Sequence, residues 1–172
     1  MKKILIHIFI ILFPYFIVFL ICSLFNKSLM KYIYHNNFYL GLLYLFAFWL
    51  IAFISAIIIS INNLVNKADA VETAKINMVI KLVQIPAYLF VFVAGILCLL
   101  TIFTFAITFI LAILDCASIV LSGLIGVSAV KRSYSDGGLS KPEMVIYCIL
   151  QFVFCVDVIS SIIVFRKTKA QL

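Results

Sequence analysis

The sequence predicts an all-α, polytopic transmembrane helix bundle with five spans in a single domain covering residues 1–172. The first observation is composition: 67% of the residues are hydrophobic and only 11% are charged. A soluble domain is about half apolar and about a quarter charged. The second is that all thirteen Lys and Arg residues fall in short segments separated by long cation-free runs. Bilayer interiors exclude cations, so these runs outline the spans.

The cation-free runs have the length that a membrane helix needs. They place the spans at about 4–25, 38–61, 80–100, 104–130 and 143–165. The first run is longer than the apolar core of a signal peptide, so we expect a retained span. Pro14 should kink this span, which membrane helices tolerate where a neighbouring helix covers the freed carbonyl group.

The connections after the first and the second span are predicted to differ in structure. The first is a short loop whose aromatic residues suit a membrane-interface belt; they are Tyr32, Tyr34, Phe38 and Tyr39. Residues 62–79 instead have the spacing of an amphipathic helix, which should lie at the cytoplasmic membrane surface or extend the next span inward. A polar stripe then enters that span, formed by Thr73, Asn77, Lys81 and Gln84.

The apolar stretch from Leu82 to Val130 must contain two helices. As one helix it would be about 73 Å long, more than twice the thickness of the hydrocarbon core. We expect the turn near residues 100–104, where Thr101 and Thr104 can satisfy freed backbone groups.

The loop before the fifth predicted span should end one helix and begin the next. Asp136, Gly137 and Gly138 form a turn signal, and Ser140 with Glu143 has the spacing of a capping box.

Five spans put the termini on opposite sides, with eight basic residues on the N-terminal side and five on the other. This bias favours a cytoplasmic N-terminus. The basic C-terminal tail disagrees with it. The alternative is that one segment enters the membrane and returns, which leaves four spans.

Two acidic residues lie inside the predicted spans and are the most specific functional signal. A carboxylate at the membrane centre costs about 2.5–3.5 kcal/mol, so it is rarely kept without a partner or a use. Asp115 shares its helix face with Ser118, Ser122 and Gly126, and such small residues allow close helix packing. We therefore predict that Asp115 faces protein, with Gly123 and Gly126 serving helix packing.

Ideal helix geometry places Asp115 and Asp157 at nearly the same depth, about 3 Å and about 4.5 Å from the centres of their spans. No span-interior cation is expected near them, since Lys81 is predicted at an interface. If the two helices pack with these faces inward, the carboxylates form a pair that holds a proton or a cation. The predicted ligand, cation or proton site comprises Asp115, Asp157, Ser118, Ser122 and Gln151. Gln151 is expected on a different face of the fifth span. The alternative is that the acids only fix helix packing.

Lys81, Gln84 and Tyr88 form a second candidate, an inner vestibule beside Pro86. The competing interpretation is an interfacial lysine extended toward water with an aromatic anchor. The sequence shows no catalytic constellation and no metal- or phosphate-binding motif. It therefore favours a non-enzymatic protein without a cofactor or a metal.

The stretches QIPAYLFVFVAG, DCASIVLSGLIGVSAV and ILQFVFCVDVISSIIVF resemble a group of small, uncharacterised bacterial membrane proteins, over about residues 81–165. The resemblance implies no activity, site or substrate. The abundance of Ile, Phe, Lys, Asn and Tyr is typical of an AT-rich bacterial genome.

These observations predict a transporter or channel-like subunit of the bacterial cell membrane that handles protons or cations through its intramembrane carboxylates. A chain this small is expected to form a homo-oligomer or to join a partner membrane subunit. Its basic loops should contact anionic lipids, and no nucleic acid is expected because no basic domain is present. The alternative is a non-catalytic accessory, assembly or immunity-type protein that binds a larger membrane partner.

Overall fold

A computed structural model describes residues 2–24, 26–100 and 104–171. All regular structure in these ranges is helical, in agreement with the predicted all-α fold. The helices are α1 (Lys2–Leu24), α2 (Lys27–Tyr34), α3 (Phe38–Val65), α4 (Ala70–Leu99), α5 (Phe105–Ser135), α6 (Lys141–Leu150) and α7 (Val156–Lys169).

Three described helices contain stretches long and apolar enough to cross a membrane: Phe38–Val65, Ala70–Leu99 and Ile107–Ser135. The bent pair α1 and α2 gives a fourth if it forms one span. The membrane-type bundle is therefore supported, whereas the predicted count of five spans is not confirmed.

Helix α1 runs through Pro14 and packs its central apolar residues into the main core. Proline has no N–H group, so the carbonyl group of Ile10 loses its helical partner. The Gln84 Nε2 atom of α4 donates a hydrogen bond to this oxygen at 2.8 Å. A neighbouring helix thus covers the freed carbonyl group, as the sequence predicted.

The first connection contains a helix where the sequence predicted only a loop. Asn26 caps α2 because its side chain accepts hydrogen bonds from the backbone N–H groups of Ser28 and Leu29. Tyr32 and Tyr39 are largely exposed, as an aromatic belt requires, but Tyr34 is buried in the main core.

The segment at residues 62–79 is not a separate amphipathic helix. Helix α3 continues to Val65, and α4 begins at Ala70. Asp69 caps α4, since its carboxylate accepts a hydrogen bond from the Glu72 N–H group at 2.7 Å. The polar residues after Asp69 therefore extend the next long helix, which is the second of the two predicted arrangements.

The turn between α4 and α5 falls where it was expected. Helix α4 ends at Leu99 and α5 begins at Phe105. The Thr104 hydroxyl group donates to the carbonyl oxygen of Cys98 at 2.8 Å, so it satisfies a freed backbone group as predicted. Thr101, which was assigned the same role, lies outside the described residues.

The predicted fifth span is two helices rather than one. Helix α6 ends at Leu150, and α7 begins at Val156 after a non-helical break. Within the break, Cys155 has a φ of 64°, a left-handed conformation that is uncommon for a residue with a side chain. This conformation turns the chain, and α6 and α7 form a helical hairpin.

Contacts at both ends of the hairpin show that it returns to its starting side. At the open end, Lys167 forms an ion pair with Glu143. Near the same end, a Cβ atom on Gly138 would lie 3.3 Å from the Thr168 Cα atom, so glycine allows the tail to approach the α5–α6 loop. At the closed end, the Phe154 ring contacts Tyr88 and Phe92 in the second half of α4.

Candidate functional site

The centre of the buried polar region is an ion pair between α4 and α7. Lys81 Nζ lies 2.7 Å from Asp157 Oδ2, and the two side chains are 0% and 2% exposed. Lys81 Nζ also donates to the Ser122 hydroxyl group and to the Gln151 carbonyl oxygen, each at 3.2 Å. The ammonium group of this α4 residue thus contacts α5, the hairpin break and α7 at one point.

The Gln151 carbonyl group explains why the Lys81 ammonium group lies beside the hairpin break. Breaking a helix inside a membrane exposes backbone groups, and these are tolerated only where protein satisfies them. Gln151 stands at the end of α6, where its carbonyl group has no later helical turn to bond. Lys81 supplies a charged donor to it, so the cation stabilises the hairpin break as well as Asp157.

The Gln151 side chain extends the network toward the open end of the hairpin. Its Nε2 atom donates to the Ser160 hydroxyl group at 2.9 Å. Its Oε1 atom accepts from Asn77 Nδ2 at 3.3 Å and lies 3.3 Å from the Ser161 hydroxyl oxygen. Asn77 Nδ2 also donates to Ser161 at 3.0 Å, whereas Asn77 Oδ1 is buried without a donor. The network therefore keeps one open acceptor.

Two glycines on α5 make room for the break. A Cβ atom on Gly126 would lie 2.1 Å from Gln151 Oε1, and one on Gly123 would lie 2.6 Å from the Phe152 ring. The close approach of the hairpin break to α5 thus depends on these two glycines.

Asp115 is not part of this network. It lines a separate cavity of about 210 Å³ between α4 and α5, and its Oδ1 atom is buried without a hydrogen-bond partner. Asp157 is instead paired with Lys81. The expected carboxylate pair is therefore absent, and the expectation that no cation would reach Asp157 was wrong. It failed because Lys81 is fully buried, not at an interface.

The remaining predicted site residues are divided between the network and the helix interior. Ser122 and Gln151 belong to the network. Ser118 is buried but bonds the Leu114 carbonyl group of its own helix. Gln151 was expected on a different face from Asp157. The break invalidates that expectation because a face is defined only along a continuous helix.

The candidate vestibule residues lie in packed protein. Gln84 accepts a hydrogen bond from the Tyr88 hydroxyl group at 2.9 Å, and both side chains are buried beside Lys81. A cavity of about 400 Å³ does exist toward the start of α4, but its lining on that helix includes Thr73 and Ile76 rather than the predicted three.

Sequence reasoning missed the contributions of Asn77, Ser160 and Ser161 as network members, and of Lys81 as the partner of Asp157. A usable signal was present for some of them. Asn77 and Lys81 belong to the polar stripe of α4, and Ser160 and Ser161 follow Asp157 at helical spacing. These two polar stripes form one network because α7 packs against α4, a contact that the sequence does not reveal.

The fold and the site together define a class: an all-helical, membrane-type bundle in which a broken helical hairpin is held by a buried ion pair. Searches against models of protein families, curated proteins and solved structures find no match to this chain.

Proposed function

We propose that this protein is a small cell-membrane transport subunit that handles protons through the Lys81–Asp157 pair. The observation that carries the proposal is the position of this pair, which joins α4 to a helical hairpin broken at its closed end. Ionisable groups inside a membrane commonly mark ion or proton pathways, and discontinuous helices commonly line such sites.

The chemistry follows from the contacts of the pair. A proton added to the Asp157 carboxylate cancels its attraction to the Lys81 ammonium group. Lys81 then keeps only Ser122 and the Gln151 carbonyl oxygen as neutral acceptors. Protonation thus weakens the bond between α4 and α7 while the contact with the break remains. This gives two arrangements of the hairpin, differing by one proton.

The proposed topology has four spans, formed by α1, α3, α4 and α5, with α2 in the connection after α1 and a re-entrant hairpin formed by α6 and α7. The three basic residues of the tail then join the eight on the N-terminal side, which leaves only Lys27 and Lys31 opposite. This distribution places both termini in the cytoplasm by the positive-inside rule. The basic tail therefore agrees with the topology.

An accessory or assembly protein is the second candidate. It is favoured by the closure of the network: Lys81, Gln151, Ser161 and Asp157 are at most 2% exposed, and none of them lines either of the two cavities described above. In that role, the ion pair fixes the hairpin so that the bundle presents a constant surface to a larger membrane partner.

Proton flux into proteoliposomes distinguishes the two functions. The native chain is reconstituted with an internal pH indicator, and flux is compared with that of Asp157→Asn and Lys81→Gln. Asp115→Asn is the matched control, since it also removes one intramembrane carboxylate but lies outside the network. Proton handling predicts flux that both network variants abolish and the control retains. Absence of flux from the folded native chain would reject this function.

A further inference from the structure

The cavity beside Asp115 has a composition that neither candidate function uses. Its volume is about 210 Å³, and its walls come from α4 and α5. Apart from Asp115 and Thr108, the lining consists of apolar residues and one glycine: Val91, Phe92, Gly95, Ile96, Leu99, Leu111 and Ala112. It is thus an apolar cavity with a single acidic group.

One oxygen of the acidic group has no hydrogen-bond donor among the described residues. Asp115 Oδ1 is buried and accepts no hydrogen bond, and none of the three ion pairs among the described residues includes Asp115. A buried acceptor without a donor costs about 1–3 kcal/mol, more when it is charged. This cost needs a compensating contact, and a bound cation supplies one.

The other lining groups indicate which kind of cation fits. Calcium takes six to eight oxygen ligands, and magnesium needs six in an octahedron. The cavity offers one carboxylate, and the Thr108 hydroxyl group already donates to the Gly95 carbonyl oxygen at 3.1 Å. An alkylammonium ion needs no such shell of oxygens. Its charge pairs with a carboxylate, its alkyl groups pack against apolar walls, and an aromatic ring such as Phe92 attracts it.

We propose that the cavity between α4 and α5 is a binding site for an alkylammonium group, with Asp115 as its counter-ion and Phe92 as its aromatic contact. This site goes beyond the proposed proton function and does not depend on it. Thr108 and Leu99 lie close to the ends of their helices, so the cavity extends toward the α4–α5 end of the bundle.

Gly95 provides a steric test of the site. It lines the cavity, and a Cβ atom built on it would meet no atom within 4 Å. A larger side chain there fills the cavity without displacing the helices. Gly95→Val therefore occupies the ligand space while leaving Asp115 in place. Cys116→Ser is the control, because Cys116 is exposed next to Asp115 but does not line the cavity.

Equilibrium binding to the purified, detergent-solubilised full chain tests the proposal by calorimetry. The probes are tetraethylammonium, choline and dimethylbutanol, the neutral carbon analogue of choline. We expect the two cations to bind and the neutral analogue to bind at least about tenfold more weakly, a difference of about 1.4 kcal/mol. Asp115→Asn and Gly95→Val should each weaken cation binding at least about tenfold, and Cys116→Ser should not.

Three results would overturn the site: no cation binding by the native chain, equal binding of the neutral analogue, or unchanged affinity in Asp115→Asn. Circular dichroism and gel-filtration profiles verify the fold. If Asp115→Asn does not fold, the affinity of Gly95→Val for the cations and the affinity of the native chain for the neutral analogue still test the site. Rejection of this binding site does not affect the proposed proton function, because the flux assay tests Lys81 and Asp157 and uses Asp115→Asn only as a control.

The alkylammonium group can belong to a free cation or to a choline lipid headgroup. Tetraethylammonium binding is therefore repeated in nanodiscs of phosphatidylglycerol with and without phosphatidylcholine. Competition by phosphatidylcholine assigns the site to a lipid headgroup. Unchanged affinity assigns it to a free cation.

Discussion

Lys81 and Asp157 lie 76 positions apart in the chain, yet their charged atoms are 2.7 Å apart in the interior of the bundle. Each also contacts backbone or side chains of the hairpin: Lys81 bonds the Gln151 carbonyl group, and the Asp157 carbonyl group accepts from Ser160 and Ser161. The pair therefore couples the position of α4 to the conformation of the break.

Removing one charge of this pair should lower the free energy of unfolding more than removing both charges does. Lys81→Met leaves the Asp157 carboxylate buried without a counter-ion, and such losses cost about 3–5 kcal/mol. Asp157→Leu leaves an unpaired ammonium group with a similar cost. The double variant Lys81→Met with Asp157→Leu should be more stable than either single variant, because no buried charge remains. Unfolding by denaturant in detergent measures the three free energies.

Additive losses in that cycle would contradict a direct interaction between the pair. Asp115→Leu combined with Lys81→Met serves as the control, since Asp115 lies in the separate cavity and should show no coupling to Lys81.

The contact between Gly126 and Gln151 predicts opposite effects for two glycine substitutions. In Gly126→Ala, the new methyl group would lie 2.1 Å from a Gln151 oxygen that is held by the network, so it displaces that side chain. Overpacking of this kind costs about 1–3 kcal/mol. Gly95→Ala meets no atom within 4 Å and should gain up to about 1 kcal/mol of helix propensity. Thermal unfolding of the two variants compares them directly; a stable Gly126→Ala would show that Gln151 is free to move.

The hairpin predicts the side on which the C-terminus lies. An epitope inserted at the Gly137–Gly138 turn and one added after the last residue should be accessible to antibody from the same side of the membrane. The ion pair between Glu143 and Lys167 brings the two ends of the hairpin together. A third epitope at His35 marks the opposite side. Accessibility of the C-terminal epitope from the His35 side would instead mean that α6 and α7 cross as a fifth span.

The same ion pair gives the hairpin a dependence on acidic pH. The hydrogen bond from Lys167 lowers the pKa of Glu143 from its ordinary 4.5 to about 2. A carboxyl group with a lowered pKa stabilises the folded state above its ordinary pKa and loses that contribution as pH falls from 4.5 toward about 2. Glu143→Gln should therefore lower the unfolding temperature slightly at neutral pH. Near about pH 3, the difference from the native chain should shrink.

Glu72→Gln is the control for this pH experiment. Glu72 belongs to none of the three ion pairs among the described residues. A difference between the native chain and Glu143→Gln that stays constant from neutral to acidic pH would contradict a stabilising role for the Glu143 carboxylate.

Much of the helical framework could be predicted because it depends on local properties. The apolar runs and basic boundaries located the long helices, and Pro14 indicated a freed carbonyl group that another helix had to cover. The break after Leu150 could not be predicted in this way. The sequence QFVFC contains no glycine or proline, and its apolar residues suit the middle of a span.

The candidate site was half predicted for a related reason. Asp157, Ser122 and Gln151 were identified because polar residues are rare in apolar segments. Asp115 and Asp157 were expected at nearly the same depth, where they would pair if their helix faces met, because those depths were derived for two uninterrupted antiparallel helices. A hairpin that turns at Cys155 puts α7 against α4 and brings Asp157 to Lys81 instead.

Local sequence properties were enough to predict that this chain forms apolar helices, which of its residues are too polar for a membrane interior without partners, and where its cations collect. These are properties of single segments, fixed by composition and helical period. Three other outcomes became visible only in the folded bundle: the last apolar segment folds back, Lys81 neutralises Asp157, and Asp115 keeps an unpartnered oxygen in a cavity of its own. Those outcomes depend on which helix faces meet, and contacts between distant segments are set by packing of the whole bundle.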